Sequence, residues 1–111
     1  MEVLVVDEAG HLTDSRPATA DELTQHSHFM MDRIAARPVG EDVLVLWTGF
    51  ACDKAGTLTV SVDGGSITVA PEPIETCELV PSYRGVVLTF GQPRLAGSLR
   101  VTLLPTELTG D

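Results

Sequence analysis

The most constraining feature of this chain is a run of residues with a strict period of two. Leu58, Val60 and Val62 alternate with Thr57, Thr59 and Ser61; Asp63, Gly64 and Gly65 then supply turn chemistry; and Ile67 and Val69 alternate with Ser66 and Thr68. Successive side chains on a strand point to opposite faces, so this pattern buries one face and wets the other. A helix of period 3.6 cannot present such a stripe, and the segment predicts a β-hairpin.

Comparable signals recur on both sides. Val3 to Val6 is a short β-branched run closed by turn residues from Asp7 to Gly10. Val43 to Trp47 is a continuous apolar run of strand length, which predicts a central strand buried on both faces with Trp47 as a core anchor. Val86, Leu88 and Phe90 form one face of a further strand, and Leu99, Val101 and Leu103 alternate with Arg100 and Thr102 before Pro105. Pro71 and Pro73 end the hairpin, and the stretch on to Ser82 reads as a long loop.

Residues 19 to 36 allow two readings. Thr19 followed by Glu22 makes a capping box, with Leu23, Ser27, Met30 and Ile34 at helical spacing. Phe29, Met31 and Arg33 also alternate with Met30, Asp32 and Ile34 as a strand would. The preferred reading is a short helix near residues 20–26, then a strand over about 28–36, with a turn at Gly40 to Asp42.

This adds up to about seven strands with no internal repeat and no alternation of strand and helix. The 111 residues suffice for one domain, 1–111, and not for two. The expected fold is mainly β: a single immunoglobulin-like antiparallel β-sandwich, with a small β-barrel as the alternative.

The two cysteines, Cys52 and Cys77, stand 25 positions apart. Neither has a second cysteine or a histidine at zinc-knuckle or redox-dithiol spacing. Both fall in segments that read as loops, whereas free structural cysteines favour buried regular elements, so a disulfide is the preferred reading. A crosslink of this span is worth about 3.5 kcal/mol in the chain-entropy model and belongs in an oxidising compartment. No export signal follows Met1, which suits a mature domain whose leader was replaced by a start methionine. A lipid anchor upstream of Met1 is compatible with that reading.

The segment from Leu46 to Phe90 runs LWTGFACDKAGTLTV, SITVAP, a cysteine, then RGVVLTF. It resembles a loosely defined group of bacterial secreted or lipoprotein-type β-domains, in which a tryptophan and glycine precede a Cys-Asp pair and a second cysteine precedes an apolar strand. Here those positions are Trp47, Gly49, Cys52, Asp53, Cys77 and the strand Arg84 to Phe90. The resemblance implies export and a disulfide and carries no activity. The antibody pattern is not met, because Trp47 precedes both cysteines instead of lying between them.

Seven basic residues against sixteen acidic ones leave a net charge of -9, which repels nucleic acid and anionic lipid headgroups. No apolar run is long enough to span a bilayer. The absence of Asn, with Lys54 the only lysine, fits a GC-rich bacterial genome.

Among chemical groups, His26, His28, Met30 and Met31 form the densest cluster. Imidazole and thioether suit copper, and on a strand His26 and His28 would project from one face. The competing reading is a core methionine beside histidines on a solvated edge, and no His or Met follows Met31 to complete a cupredoxin-like set. All three histidines precede residue 29 and no G-x-S-x-G elbow is present, so no nucleophilic triad is legible. Gly64 and Gly65 sit in a hairpin turn and form no phosphate cradle, and Asp53 and Asp63 lack EF-hand spacing.

The expectation is therefore a non-catalytic exported or cell-envelope β-sandwich with no cofactor. It would be secreted, periplasmic or on the bacterial cell surface, serving as a binding or structural module for an unknown protein or envelope component. The alternative is a periplasmic copper-binding protein using the His26, His28, Met30 and Met31 cluster.

Overall fold

A computed structural model describes the chain except residues 1, 8, 9, 29–32, 51–56, 64, 72, 73, 76–80, 93, 94, 105–107, 110 and 111. Ten strands and one α-helix follow in order: β1 (Glu2–Val6), β2 (Leu12–Pro17), α1 (Ala20–Ser27), β3 (Ile34–Val39), β4 (Asp42–Phe50), β5 (Thr57–Asp63), β6 (Ser66–Pro71), β7 (Ile74–Glu75), β8 (Pro81–Phe90), β9 (Arg100–Leu103) and β10 (Leu108–Thr109). One four-stranded sheet has the order β1-β5-β6-β9 and the other β2-β8-β4-β3, with β7 and β10 forming a separate two-stranded pair. The two sheets do not close into a barrel.

The sheets stack through their period-two apolar faces. Val43, Val45 and Trp47 of β4 and Val86 and Leu88 of β8 meet Val60 and Val62 of β5 and Ile67 and Val69 of β6 in one buried cluster. The expected β5–β6 hairpin is present, with Asp63 opposite Ser66. Its alternate residues Thr59, Ser61, Ser66 and Thr68 stay on the outer face, where their hydroxyls reach water.

The continuous run Val43 to Trp47 is buried throughout because its strand is covered twice. One face meets the other sheet. On the opposite face Leu44, Leu46 and Val87 form a second buried cluster, against which Leu23 of α1, Ala18, Ala35 and Val39 pack. The layer order is therefore sheet, sheet, helix. Gly85 of β8 allows the close approach: a Cβ there would meet Leu23 Cδ2 at 2.9 Å and Ala18 Cβ and Leu44 Cδ1 at 3.2 Å each.

The helix forms where the capping box is read. Thr19 Oγ1 accepts from the Glu22 N–H at 3.1 Å, and Glu22 Oε1 accepts from the Thr19 N–H at 2.9 Å. Arg16, on β2, adds a two-pronged contact to Glu22 at 2.8 and 2.9 Å. This pair and the cap amide hold the Glu22 carboxyl well down, to about 2.

Several expectations are corrected. Of the strand expected over about 28–36, residues 29–32 lie outside the described residues; His28 caps α1, and the strand that follows is β3, Ile34–Val39. Pro38 lies within β3, which a sheet edge tolerates since an edge strand has one unpaired side. The long loop from Pro71 to Ser82 is interrupted by β7, and β8 starts at Pro81.

The β2-β8-β4-β3 sheet is wholly antiparallel, as expected. The other is mixed, because β1 runs parallel to β5 and β6 parallel to β9. The long connections between these strands pass through the opposite sheet, which leaves room for a parallel return. Gly40, with a φ of 60°, and Glu41 close the β3–β4 hairpin between Val39 and Asp42.

Candidate functional site

The arrangement with most chemical content is at the start of β8, beside Trp47. In the antiparallel ladder of β4 and β8, Val43 faces Leu88, Val45 faces Val86, and Trp47 faces Arg84. Directly opposed residues share a face, so Arg84 continues the apolar row into the space between the sheets. Trp47 is 1% exposed. Its other cross-strand neighbour is Ile34 of β3, which packs on the same core.

Three buried donor atoms in this pair have no hydrogen-bond partner among the described residues: Trp47 Nε1, Arg84 Nε and Arg84 Nη2. Leaving such a donor unsatisfied costs about 1–3 kcal/mol, and more when it is charged. Arg84 Nε and Nη2 are the two nitrogens whose N–H bonds point the same way from one edge of the guanidinium. That edge is the fork that receives a carboxylate side-on. The indole N–H of its cross-strand partner Trp47 is a third buried donor and brings no charge of its own.

Phe50 opposite Pro81 is the last pair of this ladder, three pairs beyond Trp47 and Arg84. Cys52 follows Phe50 by two residues and Cys77 precedes Pro81 by four. Both cysteines lie outside the described residues, as do Asp53, Gly64, Met30 and Met31.

The histidine cluster takes a different geometry from the one expected. His26 is half-buried on α1, with Nδ1 buried and unpartnered among the described residues, and His28 is exposed at the C-cap. Two positions apart at a helix end, the rings do not project from one face as they would on a strand. Among the described residues no three His, Cys, Asp or Glu side chains group as metal ligands. Asp63 is an exposed residue at the end of β5.

A cleft of about 540 Å³ is lined by Gly10, His11, Phe90, Gly91 and Gln92. Asp7, which binds the backbone of the lining residue His11, has both carboxylate oxygens engaged: Oδ1 accepts from the His11 backbone N–H at 3.0 Å and Oδ2 from that of Leu12 at 2.7 Å. The Leu12 amide bond is the main reason the Asp7 carboxyl sits below its ordinary value. Gly10, at a φ of 72°, gives the loop its left-handed bend. Asp7 is thus a loop-closing group.

The large exposed apolar side chains among the described residues are Leu4, Tyr83, Leu95 and Leu104. Leu4 and Leu104 both face outward on the β1-β5-β6-β9 sheet but at its two opposite edges, with Thr59 and Ala70 between them, while Tyr83 belongs to the other sheet and Leu95 precedes β9. A broad apolar docking face therefore has no support from the described residues. No helix of the described chain is long and apolar enough to cross a membrane.

Sequence reasoning singled out Trp47 as a core anchor and read Arg84 only as the start of its strand. The signal was available. Counting back by twos from Leu88 and Val86 places Arg84 on the buried face, where a lone cation among apolar residues calls for a partner. Comparison with family models, with curated proteins and with solved structures returns no match for this chain.

Proposed function

We propose that this protein is a non-catalytic β-sandwich of the bacterial cell exterior or envelope, closed at one end by a Cys52–Cys77 disulfide and acting as a binding or structural module. The observation that carries the reading is the Phe50–Pro81 end of the β4–β8 ladder. The segments bearing the two cysteines leave that ladder from paired positions, two and four residues away, so a short bridge is within their reach. A disulfide that persists places the domain in an oxidising compartment.

The binding part of the reading is supported by the unfilled donors of Trp47 and Arg84, and the non-catalytic part by the engagement of Asp7 and Glu22 in holding a loop and a helix end. The partner is a protein or envelope component.

The test is the intact mass of protein prepared under oxidising conditions, before and after reduction, with a thiol titration in parallel. The reading expects a gain of two hydrogens on reduction and no titratable thiol beforehand. Two free thiols in the oxidised preparation would remove its basis.

A further inference from the structure

We propose that the donor set of Trp47 and Arg84 is a carboxylate-binding site. This rests on the reading of the chain as a binding module and names the chemistry it recognises. Three observations carry it. Trp47 and Arg84 are direct cross-strand partners on the inward face of β4 and β8. Trp47 is 1% exposed, yet its indole N–H has no acceptor among the described residues. The unpartnered atoms of Arg84 are Nε and Nη2, the side-on fork, and both are buried.

A planar group with two oxygens satisfies all three donors at once. One oxygen accepts from Nε and the other from Nη2, and the indole N–H reaches a remaining lone pair. The ligand charge also cancels that of the half-buried guanidinium, two of whose nitrogens are buried without a partner among the described residues. The domain carries a net charge of -9, so a bound carboxylate gains nothing from long-range attraction. Selectivity for it must come from the fork geometry. The carboxylate belongs either to a small free acid or to the C-terminus of a peptide chain.

The chain has a single tryptophan, so the indole N–H gives one isolated signal in a ¹H–¹⁵N spectrum of the labelled full chain. The probes are sodium acetate, sodium chloride and sodium phosphate at matched ionic strength, then triglycine and its C-terminal amide. A saturable shift of the Trp47 indole and Arg84 Nε–H signals with acetate, without saturation in chloride, is the expected result. Saturation by acetate with no gain for triglycine assigns a small free acid. Tighter saturation by triglycine than by its amide assigns a chain terminus.

Arg84→Met abolishes the response, and Arg84→Lys, which keeps the charge and loses the fork, weakens it about tenfold. The remaining amide signals report whether each variant is folded, and Arg84→Lys carries the test if Arg84→Met is not. A drift that is linear and equal in acetate and chloride overturns the proposal, as does an unchanged response in folded Arg84→Met. Saturation by phosphate alone overturns the carboxylate assignment while leaving the binding-module reading in place. That reading falls separately, on the thiol count.

Discussion

Gly85→Ala tests how tightly α1 is seated on the sheet. Alanine is intrinsically better than glycine inside a strand by about 0.5–1 kcal/mol, and Gly85 has no left-handed φ to protect. Against this, the new methyl meets Leu23 Cδ2 at 2.9 Å, inside normal contact, and Ala18 Cβ and Leu44 Cδ1 at 3.2 Å. Overpacking of this kind costs about 1–3 kcal/mol, so the variant should lose about 1 kcal/mol net. Leu23→Ala alone should lose about 1–2 kcal/mol, less than a fully buried leucine, because Leu23 is only partly covered. In the double variant the closest contact is gone, so the added methyl should cost nothing or stabilise slightly, a coupling of about 1 kcal/mol. Urea unfolding of the wild type, both single variants and the double variant measures the cycle at constant m. Additivity within about 0.3 kcal/mol would refute the claim that Leu23 is what fills the space above Gly85.

Three further outcomes follow from the same contacts. Thr19→Ala removes the cap acceptor for the Glu22 N–H and should cost about 1 kcal/mol, read from urea unfolding with a loss of helical far-UV signal. Glu22 has a folded carboxyl depressed from 4.5 to about 2, first by Arg16 and then by the Thr19 amide. Its contribution is therefore complete above pH 4.5 and lost as pH falls towards 2, and Glu22→Gln should flatten that part of the stability profile in thermal melts at stepped pH. Leu44→Ala opens a void in a site that is fully buried between sheet and helix and should cost about 3 kcal/mol by urea midpoint, with m unchanged.

Much of the fold was legible because burial and period coincide. The β5–β6 hairpin carries its own face pattern, and the run from Val43 to Trp47 reads as doubly covered because it has no polar member. The capping box at Thr19 and Glu22 is a local signal and forms as read. β2 was not legible. In the sequence LTDSRP only the first residue is apolar, and the strand is an exposed edge held by β8, not by its own pattern. β7 and β10 have two residues each, too few to show a period. The parallel pairings of β1 with β5 and of β6 with β9 join segments distant in sequence, which no local rule encodes.

The candidate site divides in the same way. Trp47 was legible as an anchor from its place at the end of an apolar run. Arg84 needed the parity of β8 extended backwards past Gly85, where the apolar signal is interrupted. The geometry of His26 and His28 turned on where α1 ends, and three residues more or fewer of helix decide whether two rings share a face.

The proposed crosslink lies beyond the Phe50–Pro81 end of the β4–β8 ladder. The direct measurement is the free energy of unfolding of oxidised and reduced protein, by urea titration at one pH. The proposed crosslink between Cys52 and Cys77, 25 positions apart, predicts that reduction lowers stability by about 3.5 kcal/mol with the fold retained, whereas identical unfolding curves would contradict it.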